Sequence, residues 1–436
     1  MYNPFDKIIG SDLDESDLNG LIRNKVSEGF FVEYKESFPS TAKIANGIAA
    51  LANTYGGWFI VGVKANELSE ATEICGFDPV KCADPASLIR NSCRDCLDPY
   101  PVFRHSVVKL KSGRHVSVTW VPPSDETPHI AKDGRVYVRK GDAKEPVKVE
   151  TKYQLEVVSE RGKKAVEEFA RFSEIDDAVV NSDAPAIQIS LSPRPATEFE
   201  GPIYWTSTDF DKLKMIVERQ LPTDLFEDIE GVTATTNIPF TNFYRSGGRI
   251  VIEQGDPSRN IANLTIELDG RGRCRILLPL PTRTPFQLLK EENSSSDLVE
   301  FLSNLDPSQS FPMMYSSPNV LNALMYLCRL YLCLLGEERA PGGFRYVVEA
   351  INMGGCMSYA DDKEWFDHVK KFGMPVTKKN TIRVPFHDAS SIVVSDDSDL
   401  IDNVRYTVMS ILGLPVNISI STFMSAMMAY GQSTAA

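Results

Sequence analysis

Glu28, Glu33 and Lys35 are the residues of this chain whose types and spacing could do chemistry. Two carboxylates five residues apart, with a lysine two positions after the second, suit metal-assisted phosphodiester chemistry. A carboxylate holds Mg²⁺ or Mn²⁺, hard ions that favour oxygen ligands. A lysine can orient or neutralise the attacked phosphate, or help deprotonate a water. Phe30 to Glu36 alternates as a strand does, so Glu33 and Lys35 share a face with Phe31 while Val32 and Tyr34 point the other way. Glu28 lies just before this strand and could fold over the same face as a second ligand. The bland alternative for a Glu-x-Lys pair is a surface ion pair worth roughly 0.2–1 kcal/mol and of no chemical consequence.

The elements that must position these residues are legible around them. Residues 11–27 read as a helix with acidic residues in its first turn and Leu18, Leu21, Ile22 and Val26 at helical spacing, stopped by Gly29. Thr41 to Asn53 is helical, with Ile44, Ile48, Leu51 and Ala52 on one face. A turn at Asn53-Thr54-Tyr55-Gly56-Gly57 leads into Trp58 to Val63, an apolar run expected to be a strand buried on both faces. The two glycines supply positive φ or close backbone approach, and their N–H groups could also meet a phosphate. Pro85 to Leu97 reads as a helix, Val102 to Leu110 and His115 to Val121 as paired strands, and Arg135 to Arg139 as a short strand closed by Gly141. Helices interleaved with a mixed sheet make residues 1–155 one α+β domain. Residues 156–200 read as a connector helix and linker. Residues 201–436 form an unassigned α+β region with a β-rich middle, where Arg249 to Ile252, Leu264 to Leu268 and Cys274 to Leu278 alternate between turns. Ile187 to Leu191 has the same pattern, residues 286–304 and 317–336 read as helices, and Tyr346 to Ile351 fits either a strand or a helix.

The order of these motifs resembles the Schlafen AlbA_2 domain family over about the first third of the chain. The resemblance rests on Glu28 and Glu33-Tyr34-Lys35, then Ala52-Asn53-Thr54-Tyr55-Gly56-Gly57 before an apolar strand ending Gly62-Val63, then Tyr137-Val138-Arg139-Lys140-Gly141. Ribonuclease members cut tRNA or rRNA with a carboxylate triad. The resemblance therefore implies Glu28, Glu33 and Lys35 as catalytic residues, Mg²⁺ or Mn²⁺ as cofactor, and structured RNA, tRNA first, as partner. It also places Arg135, Arg139, Lys140 and Lys144 beside a nucleic-acid groove, where the planar guanidinium of Arg139 would suit phosphate oxygens. The family's third carboxylate directly follows the Gly-Val pair. Here that position is Lys64, which would oppose a cation, and Glu67 is the nearest replacement as a metal ligand. Two functions stay open: a Schlafen-like metal-dependent ribonuclease acting in stress or phage defence, and a non-catalytic nucleic-acid- or nucleotide-binding regulator, which Lys64 favours. The bland reading of Arg139 is a pair with a neighbouring carboxylate such as Asp142. The resemblance also allows a homo-oligomer, with the C-terminal region sensing, regulating or oligomerising.

Composition sets the frame. The 436 residues carry a net charge of −13, which argues against a general polyanion binder. Residues 103–148 reverse the sign with ten basic against five acidic side chains, the local footprint expected of a phosphate-binding strip or of a solvated hairpin. The most apolar stretch, Val320 to Gly336, is broken by Asn322 and Arg329 and reads as a buried helix with no membrane role. No basic and apolar leader opens the sequence, and the eight cysteines lack regular spacing, so a reducing cytoplasm is the expected compartment. Cys75, Cys82, Cys93 and Cys96 are spaced irregularly for zinc. No Ser-His-Asp set or Walker phosphate loop is visible.

Overall fold

The structure, a computed structural model, describes residues 2–5, 7, 12–141, 143–175, 184–194, 196, 210–220, 242–254, 264–289, 296–306, 308–335, 343–360, 363–384, 387–389 and 398–412. Asp142 and part of the expected helix 286–304 lie outside these residues. The chain divides into two compact units.

Unit 1 is built around residues 1–171. Its helix α1, Glu15–Arg23, starts at Asp14, whose carboxylate accepts from the N–H groups of Ser16 and Asp17, while Asp17 closes a capping box. The helix ends before Gly29. Asn24 caps it, and Lys25 at φ 49° reverses the chain. Strand β1, Val32–Lys35, is followed by helix α2, Thr41–Ala52, and strand β2, Gly57–Val61. β1 and β2 pair in parallel, with Glu33 opposite Phe59 and Lys35 opposite Val61, so α2 is the crossover of a β-α-β unit. A short hairpin follows, β3 (Val63–Ala65) with β4 (Ala71–Ile74). Helix α3, Pro85–Cys96, then leads to the two-residue strand β5, Leu97–Asp98. Strands β6, Arg104–Lys109, and β7, His115–Val121, complete a four-stranded sheet of order β1-β2-β7-β6. β8 (Ile130–Ala131) pairs with β5, and β9 (Tyr137–Val138) with β10 (Val147–Lys148), before the 21-residue helix α4, Lys152–Phe172.

Both faces of this sheet are covered, as the apolar run at Trp58 to Val63 requires. Val32, Tyr34, Trp58 and Ile60 pack with Leu18 and Leu21 of α1. Phe59, Val61 and Val121 pack on the other side with Ile44, Ile48 and Leu51 of α2 and with Ile89 and Cys93 of α3. The period of two along β1 sends Glu33 to the α2 side, into the interior.

Unit 2 is an antiparallel sheet with helices. Its strands are β11 (Ala186–Pro193), β12 (Asn242–Ser246), β13 (Arg249–Gln254), β14 (Leu264–Asp269) and β15 (Cys274–Pro279), followed later by β17 (Phe344–Ile351), β19 (Ile382–Arg383) and β20 (His387–Ala389). Their order is β12-β13-β14-β15-β11-β17-β19, with β20 also on β17. β11 therefore falls inside the segment that composition marks as linker. Tyr346 to Ile351 is strand, with all of β17 buried. A parallel pair, β16 (Met313–Ser316) with β18 (Cys356–Tyr359), lies apart from the main sheet. Helix Ser317–Leu335 is the one described helix long and apolar enough to cross a membrane, and it is mostly buried against other elements of the unit.

Candidate functional site

The interior of unit 1 is organised around Glu33. Its side chain is wholly buried beneath α2, and glycine at position 47 makes room for it. A Cβ at Gly47 would lie 3.0 and 3.1 Å from the two Glu33 oxygens and 2.9 Å from the Phe59 ring.

Arg139, just after β9, meets this carboxylate from across the domain. Its Nη1 donates to Glu33 Oε2 at 3.0 Å, and both side chains have no exposed surface. The rest of the guanidinium is spent on backbone carbonyls. Nε donates to Gly29 O at 2.7 Å, Nη1 to Lys144 O at 3.2 Å, and Nη2 to Val32 O at 3.3 Å and Ala143 O at 3.5 Å. Five bonds match the five N–H donors of a guanidinium, so none is left for a ligand.

The Asn-Thr-x-Gly-Gly turn is what puts Arg139 there. Asn53 Nδ2 donates to His129 O and Tyr137 O, both at 3.0 Å, and Asn53 Oδ1 accepts from His129 N at 2.8 Å. Thr54 Oγ1 accepts from Arg139 N at 2.8 Å. Gly57, at φ 147°, passes so close to β1 that a Cβ would sit 2.2 Å from Phe31 O. The Gly56 N–H donates to Leu51 O at 2.9 Å, so it is occupied within the turn.

Lys35 closes the other side of Glu33. Its Nζ is 3.1 Å from Glu33 Oε1, outside hydrogen-bonding geometry, and 2.9 Å from Glu145 Oε1. Burial pushes the Glu33 pKa up, and Lys35 and Arg139 pull against it. Burial works against the charge on Lys35, but the Glu33 and Glu145 carboxylates outweigh it and raise its pKa. Glu28 is half-buried, with its Oε1 accepting from Tyr34 N at 2.8 Å, and burial raises its pKa.

The sequence-derived site residues thus separate into two groups. Glu28, Glu33, Lys35 and Arg139 come together, joined by Glu145. Glu67 is exposed in the β3–β4 turn, where its carbonyl, not its carboxylate, accepts from Lys144 Nζ at 3.0 Å. Lys64 and Lys140 are exposed, and Arg135 lies in the turn after β8, 4.0 Å from Asp133. The basic strip 103–148 is not gathered into one patch. Arg114 folds onto the carbonyls of Cys75 and Gly76, and Arg139 is internal. Among the described residues no group of three His, Cys, Asp or Glu side chains could hold a metal ion. The donor set around Glu33 does not fit a divalent cation either, because two positive groups already stand about 3 Å from its oxygens.

Four participants were not singled out from the sequence for these roles. Gly47 is a lone glycine in an Ala- and Ile-rich helix, and that was a usable signal. Asn53 and Thr54 were read as part of a turn rather than as clamps. Glu145 is 110 residues from Lys35, and nothing in the sequence links the two.

Residues 28–148, which span this whole arrangement, match the family model described as Schlafen, AlbA_2. The N-terminal third is a Schlafen AlbA_2 domain. Two solved structures each resemble 30% of the chain. The DIP2311 protein from Corynebacterium diphtheriae is 20% identical, with 30% of this chain and 29% of that chain covered and a TM-score of 0.20. The N-terminal domain of a protein described as ATP-dependent DNA helicase RecG-related, from Nitrosomonas europaea, is 19% identical, with 30% and 86% covered and a TM-score of 0.22. The chain spans less than a third of the diphtheria protein. No curated protein matches it.

Proposed function

We propose that the AlbA_2 domain binds nucleic acid, with structured RNA such as tRNA as its ligand class, and does not cut it. The observation that carries this reading is the saturated Glu33–Arg139 pair. It removes from solvent the carboxylate that a nuclease would give to a metal, and with it the arginine that would meet a phosphate. Lys64 stands exposed just after the Gly62-Val63 step, where a third acidic ligand would be needed. The groups left for phosphate are exposed lysines and Arg135. Lys140 and Lys144 lie on the loop that covers Gly29 and Val32, and Lys144 Nζ reaches the β3–β4 turn that follows Lys64. Exposed lysines contribute the sequence-independent, salt-sensitive part of nucleic-acid affinity.

Purified full-length chain incubated with tRNA in Mg²⁺, Mn²⁺ or chelator separates the two functions. Binding that weakens with salt, is indifferent to metal and leaves the RNA intact is the expected result. Discrete metal-dependent fragments that disappear in Glu28→Gln would overturn the reading in favour of a ribonuclease. Glu28 is chosen because it is only half-buried, so the variant tests chemistry with less disturbance of the core.

A further inference from the structure

We propose that Phe30, Phe31 and Tyr55 form a base-stacking ridge through which the AlbA_2 domain prefers unpaired strands to duplex. The inference rests on the nucleic-acid reading above and adds to it which part of the nucleic acid is gripped. Phe30 is 41% and Tyr55 55% exposed, large values for aromatic side chains on a domain that buries most of its others. They are not scattered. The Phe30 and Tyr55 ring centroids are 5.9 Å apart, Phe31 lies 6.3 Å from Phe30 and 6.2 Å from Tyr55, and Tyr2 stacks on Phe31 at 5.4 Å.

The ridge is held by backbone. Gly141 runs under Phe30 so closely that a Cβ there would be 2.5 Å from the ring. The Gly57 turn presses on the carbonyl of Phe31, and Trp58 N donates to the same oxygen at 2.7 Å. Tyr55 is on the turn whose neighbours Asn53 and Thr54 are clamped. Rings on a fixed backbone lose little freedom on binding, which favours a stacking role.

Its borders argue for nucleic acid over an apolar protein partner. The Arg161 guanidinium lies 5.6 Å from the Tyr55 ring centroid and donates to Thr54 O. The exposed Lys140 directly precedes Gly141. Among the described residues of that loop, the exposed carboxylate of Glu145 is paired with Lys35. Aromatic rings bracketed by cations fit a chain that alternates π-faces with phosphates, and stacking on side chains tolerates any base. A duplex buries its base faces and cannot use such a ridge.

The test uses the full-length protein and two RNA probes of one sequence, a single strand carrying 2-aminopurine and its blunt duplex. The wild type is expected to bind the single strand at least about 10-fold more tightly and to change the 2-aminopurine emission at saturation. Tyr55→Ala with Phe30→Ala should weaken single-strand binding by about 10- to 100-fold, leave duplex binding unchanged and leave the salt slope unchanged. Tyr55→Phe should retain wild-type affinity. Equal affinity for both probes with unchanged emission would overturn the ridge while leaving nucleic-acid binding intact. Failure to bind either probe would overturn both readings. The emission measurement needs no variant, so the ridge is judged even where the double substitution disturbs folding.

Discussion

Arg139 Nη1 stands 3.0 Å from Glu33 Oε2, with both side chains sealed from solvent and the two residues 106 positions apart in sequence. The pair ties the first strand of the domain to the loop after β9. It gives a structural reason for two motif residues that, read as isolated types, look like a catalytic carboxylate and a phosphate-binding arginine.

Breaking the pair on one side leaves the other charge buried without its main counter-charge, with only Lys35 beside Glu33 or only backbone carbonyls around Arg139. Glu33→Ala and Arg139→Ala should each destabilise the domain by about 3–5 kcal/mol. Replacing both with apolar residues of similar volume should recover much of that loss. Denaturant midpoints of the full-length single and double variants are the readout. Single variants as stable as wild type would show that the pair does not form.

Gly47→Ala sets helix propensity against packing. Alanine in a helix interior gains about 1 kcal/mol over glycine. Here the new Cβ would meet Phe59 at 2.9 Å and the Glu33 oxygens at 3.0 and 3.1 Å, inside a core with no slack. Overpacking of this kind costs about 1–3 kcal/mol, so the expected net effect is a lower melting temperature. A higher one would mean that Glu33 has room to move.

Periodicity and turn chemistry carried most of the N-terminal domain. The apolar run Trp58 to Val63 announced a strand buried on both faces, and the Gly-Gly turn announced a tight passage, because both signals are local. What the alternation along β1 could not reveal was that the face shared by Glu33 is covered by α2. A charged residue in alternation looks solvent-facing until the element packed over it is known. Arg139 shows the same limit, since its partner is distant in sequence and its other acceptors are backbone carbonyls with no sequence signature. The acid capping of α1 was visible, but its end was not at Gly29, because Lys25 adopts the left-handed turn itself. In the second unit the short strands were legible one by one, while the place of β11 between β15 and β17 follows from long-range pairing.

His105 gives the domain a pH dependence of definite sign. Burial, and next the Arg90 charge, push its pKa down to about 4, against a smaller opposing effect of Asp84. Its Nδ1 is 3.0 Å from Thr119 Oγ1, and among the described residues Nε2 has no hydrogen-bond partner. The folded state holds the ring neutral, whereas the unfolded chain protonates near pH 6.5. Stability from this group is therefore complete above about pH 6.5 and lost as pH falls towards 4, by an amount on the order of 3 kcal/mol. The difference between wild type and His105→Gln in denaturant stability, followed from pH 7.5 to pH 4, isolates it from the carboxylates. Parallel curves would mean that the ring titrates normally in the folded protein.

Lys64 and Arg139 offer opposite fingerprints for the binding function. Lys64 is exposed, and among the described residues its ammonium has no hydrogen bond or ion pair, so Lys64→Ala should leave the melting temperature within experimental error. If it contacts a phosphate, the variant should bind RNA more weakly for every sequence tested, and the slope of log affinity against log salt should shrink by about one. Arg139→Ala should lower the melting temperature without that specific change of slope in the fraction that remains folded, because its guanidinium is already saturated by the protein. Salt titrations of both variants, taken with their melting curves, distinguish a phosphate contact from a structural one. A reduced slope for Arg139→Ala at unchanged stability would place that arginine on the RNA and remove the main support for a non-cutting domain.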